Sequence, residues 1–197
     1  MGPLAALITT LVAVGLLPVM AIAYDPEQTF HKGAVLLSVE GGGGAENNFE
    51  PLDSHIEFWN AGVRLSLIPF GTTGSGVLYG ALEVGLEPLL QQYTRPSDAQ
   101  WAGLALVGRY HFLRLGRFVP WVEILGAAGG TGLKVPEIRS SFAFLLDGGV
   151  GASVFLTDQT ALYVGYRLQH ISNGNTSNPN FGFESHTGVI GATFFLK

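Results

Sequence analysis

A chain of 197 residues with 47% hydrophobic and only 13% charged side chains is too apolar for an ordinary soluble domain, in which about a quarter of residues are charged. Its net charge of −5 leaves no basic surface for nucleic acid, whose phosphates need clustered Lys and Arg. With no cysteine there is neither a disulfide framework nor a thiolate metal site, and no linker divides the chain into two domains.

Met1 to Ala23 carries no charged side chain and contains the apolar run Leu11-Val12-Ala13-Val14-Gly15-Leu16-Leu17. It ends in Ala21-Ile22-Ala23, an A-x-A cleavage pattern, before the polar Tyr24-Asp25-Pro26-Glu27. Residues 1–23 are therefore expected to be a cleaved signal peptide. An uncleaved anchor helix is the competing reading, disfavoured by Pro18 and by the lack of basic flanks.

Beyond Ala23 no apolar stretch reaches the roughly 18 residues a spanning helix needs. Alternation recurs instead, with Leu104, Leu106, Tyr110 and Phe112 set against Arg109 and His111. Further on, Leu162, Val164, Tyr166 and Leu168 stand against Arg167 and Gln169. A period of two with one apolar face predicts half-buried strands. Eight segments qualify, near residues 33–42, 60–69, 76–87, 101–112, 118–128, 142–156, 160–172 and 184–196. Turn-rich stretches are expected at Gly41–Gly44, Gly71–Gly76, Thr94–Asp98 and Gly129–Gly132. The Gly41–Gly44 run lacks the Lys-Ser/Thr of a phosphate loop and reads as a flexible strand end.

The fold class predicted for residues 24–197 is all-β, an eight-stranded antiparallel transmembrane barrel in a bacterial outer membrane. Leu104, Leu106, Val150, Val154, Val164 and Leu168 would face lipid. Glu83, Glu87, Arg109, Glu123, Asp147 and Arg167 would face inward as a paired network. A soluble lipocalin-like carrier would reverse the two faces. Trp59, Trp101 and Trp121 fit an interface belt or interior packing.

The chemistry concentrates in the last hairpin, residues 166–190. On a strand His170 and Ser172 share a face, about 6.6 Å apart, and their parity is the lipid-facing one. Polar groups there are costly unless they work. Glu184 opens the last strand, and pairing centred near residue 178 places it opposite Ser172, with His170 on the diagonal. A serine, a histidine and a carboxylate on one surface follow the nucleophile–base–orienter logic of a serine hydrolase.

The order His170-Ile171-Ser172-Asn173, then Asn178-Pro179-Asn180, then Glu184 twelve residues after the serine resembles the active-site hairpin of the PagL family. That family comprises the outer-membrane lipid A 3-O-deacylases. The resemblance implies a serine esterase that removes the 3-O-linked 3-hydroxyacyl chain of lipopolysaccharide, with Ser172 as nucleophile, His170 as base and Glu184 as orienter. Asn173 is the candidate oxyanion donor, by side chain or backbone N–H, although Ser and Asn also simply favour turns. His186 shares the parity of His170 and is its rival for the base. No cofactor or metal is expected. The expected partners are lipopolysaccharide, outer-membrane lipid and a second copy in a homodimer. Two other functions fit such a barrel: a non-catalytic role in adhesion or structural support, and transfer of an acyl chain to lipid A. The first would put His170 and Glu184 on opposite faces; the second needs an acyl cavity inside the barrel.

Overall fold

The computed structural model describes residues 24–47 and 54–196, so the expected leader lies outside the described residues. Eight long strands make up the wall: β1 Val35–Glu46, β2 Glu57–Leu67, β3 Gly80–Arg95 and β4 Ala99–Phe112. They are followed by β5 Phe118–Thr131, β6 Phe142–Thr157, β7 Thr160–Ser172 and β8 Phe183–Leu196. Each strand pairs antiparallel with its neighbours in sequence, and β1 pairs with β8, so the sheet closes on itself. Closure leaves no unpaired edge, which is what lipid demands of a sheet.

Alternation sets the two faces as the composition predicts. Leu104, Leu106, Val150, Val154, Val164 and Leu168 are exposed on the outer wall, where lipid rather than water meets them. Glu83, Glu87, Arg109, Glu123, Asp147 and Arg167 are buried inside. Arg64 Nε donates to Glu87 at 2.7 Å, its Nη1 to Glu123 at 2.9 Å and its Nη2 to Glu40 at 3.1 Å. Arg167 bridges Glu40 at 2.5 Å and Glu123 at 2.8 Å, while Tyr163 O–H donates to Glu40 at 2.8 Å. This charged belt lies between two apolar caps, one around Tyr93, Trp101, Ile171 and Phe183, the other around Phe30, Phe155 and Phe195. The barrel is a filled plug of protein.

Two expected turns are strand. Gly41–Gly44 lies within β1, in unbroken register with β2 and β8, and Gly129 and Gly130 lie within β5. The reason is close approach: a side-chain carbon on Gly42 would sit 2.1 Å from the Gly188 carbonyl oxygen. Residues 76–78, expected to open the third strand, form a single 3-10 turn, and β3 begins at Gly80.

Each end carries a cap that the alternation does not announce. Near the N-terminus, the Asp25 side chain accepts from the Glu27 N–H at 2.9 Å and starts the short helix Pro26–Thr29. That helix delivers Phe30 into the barrel end, where its ring meets Phe195 at 5.1 Å and His111 at 4.9 Å between centroids. At the other end a small hairpin pairs Val135 with Ile138 and lies across the mouth beside the β7–β8 loop.

Candidate active site

Strand β7 runs out at Ser172, and the chain returns through residues 173–182. The turn begins Asn173-Gly174-Asn175-Thr176, with Gly174 at φ 61° and Asn175 at φ 63°. Thr176 N–H donates to the Asn173 carbonyl at 3.2 Å, the pattern of a type I′ turn that Asn-Gly favours. Asn173 then holds the loop together. Its Nδ2 donates to Ser177 O, Ser177 Oγ and Pro179 O at 2.9, 3.0 and 3.1 Å, and its N–H donates to Asn180 Oδ1 at 2.7 Å. Both of its expected oxyanion donors are thus engaged within the loop. The N–H groups of Gly174 and Asn175, by contrast, make no hydrogen bond among the described residues.

The register differs from the expected one by two residues. Glu184 stands directly opposite His170, not Ser172, and Phe183 pairs with Ile171. Both of those side chains are buried in the apolar cap, and that burial fixes the alignment. Parity is unchanged, so all three residues keep the outer face. Direct opposition brings the partners closer than a diagonal would. His170 Nδ1–H donates to Glu184 Oε1 at 2.8 Å, with the two side chains 42% and 33% exposed.

With Nδ1 carrying the proton toward Glu184, Nε2 is the basic nitrogen of the ring. Ser172 lies two residues further along the same face. A side-chain carbon built on Gly182 would lie 3.0 Å from His170 Cε1 and 3.3 Å from Ser172 Cβ, so both side chains close on that glycine. Gly182 itself adopts φ 73°, a conformation suited to glycine. Ser172 Oγ makes no hydrogen bond to His170 or to any other group among the described residues.

Below the pair a groove of about 320 Å³ runs along the outer wall, lined by Ile124, Leu146, Gly148, Leu168, His170 and Glu184. His186 sits opposite Leu168, one outward position deeper than Glu184. Its Nδ1 is hydrogen-bonded to the Tyr166 hydroxyl, and the two rings stack with centroids 5.8 Å apart. Trp59 is exposed on the outer wall, whereas Trp101 and Trp121 are buried inside. Sequence reasoning did not single out Gly182; its only signal was a glycine one residue before the last strand.

The lipid A 3-O-deacylase (PagL) family matches residues 59–193, well over half of the chain. Among solved structures, the outer membrane enzyme PagL superposes with a TM-score of 0.62 at 17% identity, over 78% of this chain and 97% of its own. Neisserial surface protein A (NspA) gives 0.57 at 14% identity, over 84% of this chain and 100% of its own. Among curated protein sequences, none matches this chain.

Proposed function

The chain belongs to the PagL family of outer-membrane lipid A 3-O-deacylases, and from that premise we propose that Ser172, His170 and Glu184 carry the hydrolysis. The observation that supports this most is the 2.8 Å His170–Glu184 bond on the lipid-facing wall, beside a serine on the same face. An outward site suits a substrate that is itself part of the leaflet.

Ser172 Oγ attacks the carbonyl of the 3-O-linked acyl chain while its proton passes to His170 Nε2. Glu184 keeps the ring oriented and stabilises the imidazolium that forms. As the tetrahedral intermediate collapses, His170 returns the proton to the departing sugar 3-oxygen, leaving an ester between Ser172 and the fatty acid. Water then attacks that ester, giving its proton to Nε2, and the fatty acid leaves as Ser172 recovers its own. Because Asn173 is committed to the loop, the free N–H groups of Gly174 and Asn175 are the donors assigned to the oxyanion. The groove over Gly148 and Leu168 receives the acyl chain. An acyltransferase reading would need room inside the barrel, where the arginine–glutamate belt already sits.

The test is Ser172→Ala in the purified, refolded protein, with released 3-hydroxy fatty acid measured by mass spectrometry. Activity should fall by about 10⁴-fold while the barrel keeps its heat-modifiable gel mobility. Activity within about tenfold of the parent would remove Ser172 from the mechanism.

A further inference from the structure

The small hairpin across the barrel mouth pairs Lys134 with Arg139 and Val135 with Ile138, which makes Pro136 and Glu137 its turn. A charged residue at a hairpin tip ordinarily points into water. Glu137 is 1% exposed. Ser54 Oγ donates to its Oε2 at 2.7 Å, and Oε1 has no hydrogen-bond partner among the described residues. Burying a carboxylate at a hairpin tip costs stability, so its presence calls for another reason.

The reason is visible in its backbone. The Glu137 carbonyl accepts from Phe181 N–H at 3.0 Å and from Gly182 N–H at 3.1 Å. Two flanking contacts reinforce the junction: Ile138 bridges to Asn180, and Ser177 Oγ donates to the Arg139 carbonyl at 3.3 Å. Gly182 is the residue on which any side-chain carbon would press against His170 Cε1 and Ser172 Cβ. A chain of contacts therefore runs from Ser54 through Glu137 to the wall of the reacting pair.

The geometry points to Glu137 as a positioning residue: latched by Ser54, it holds Gly182 against His170 and Ser172. This rests on the assignment of those two residues as base and nucleophile. Glu137 touches no substrate. Releasing the latch should disturb the alignment of the reacting atoms more than the binding of lipid, and small misplacements are costly to the chemical step.

Glu137→Ala and Ser54→Ala separate this from a merely structural role. Each should lower kcat about tenfold, leave KM within about twofold, and retain heat-modifiable mobility. The double variant should be no worse than Glu137→Ala, because both changes open one latch. Glu137→Gln, which still accepts from Ser54, should recover most of the lost kcat. Hydrogen exchange at the Phe181 and Gly182 amides should quicken in both alanine variants, and Ser54→Ala supplies the answer if Glu137→Ala does not fold. Unchanged exchange would overturn the latch, and faster exchange with unchanged kcat would overturn its role in positioning. If the parent released no fatty acid, the functional reading would fall, while the exchange data would still decide the latch.

Discussion

Replacing Glu184 with Gln removes the charge behind His170 while keeping the shape of the contact. Of the two Glu184 carboxylate oxygens, only Oε1 is hydrogen-bonded among the described residues, so the glutamine can give its carbonyl to Nδ1–H and its amide to the open side. The correct tautomer survives, and the loss is the attraction between carboxylate and imidazolium. Opposite unit charges about 4 Å apart are worth about 1 kcal/mol in water and about 4 kcal/mol at an effective dielectric of 20. Side chains that are 42% and 33% exposed lie between those limits. A cost of about 2–3 kcal/mol, or about 30- to 150-fold in kcat, follows. The assay is fatty-acid release from lipid A in mixed micelles, with Ser172→Ala as the floor. A Gln variant as inactive as that floor would mean the amide turns the wrong way and imposes the wrong tautomer. Parental activity would mean Glu184 does not stabilise the charged ring at all.

Other outcomes follow from the same contacts. His170→Asn should lose about 10⁴-fold and His186→Ala less than about threefold, compared at matched expression by lipid A mass spectrometry. The reverse order would exchange their roles. Asn173→Ala removes the donor of three loop hydrogen bonds, each worth about 1 kcal/mol. Faster hydrogen exchange across residues 173–182 and a fall in kcat are expected, with the barrel intact. Arg64→Met leaves Glu40, Glu87 and Glu123 short of a counter-charge in the interior. A loss of about 3–5 kcal/mol should appear as a lower temperature for the folded-to-unfolded gel shift, and no shift would show that the remaining arginines suffice.

The wall of this barrel was readable because its two faces obey opposite rules. Lipid selects Leu106 and Val164 on one side and the ion network selects Arg109 and Arg167 on the other, so alternation carries the signal undiluted. Glycine carried no such signal. Gly41–Gly44 reads equally as a turn or as a strand pressed against its neighbour, and only the distance to Gly188 separates the two. In the site, parity put His170, Ser172 and Glu184 on one face, but the two-residue difference in alignment depended on where Ile171 and Phe183 are buried, a tertiary matter. That Asn173 engages its donors within the loop was not legible, because residue type does not reveal which acceptors a folded loop will offer. The N-terminal helix and the Pro136–Glu137 hairpin are too short to show any periodicity.

The pair proposed to react, on the outer wall, would meet only molecules dissolved in the same leaflet. Encounter is then a matter of lateral diffusion in two dimensions, and the quantity that governs saturation is the mole fraction of lipid A in the surface, not its amount per volume. Adding inert detergent at constant enzyme and lipid A would slow the reaction by dilution within the surface, with no inhibitor present. Rates of variants with altered grooves are comparable only at a fixed surface composition, and in a cell the turnover of this enzyme would follow how crowded with lipopolysaccharide its own patch of membrane is.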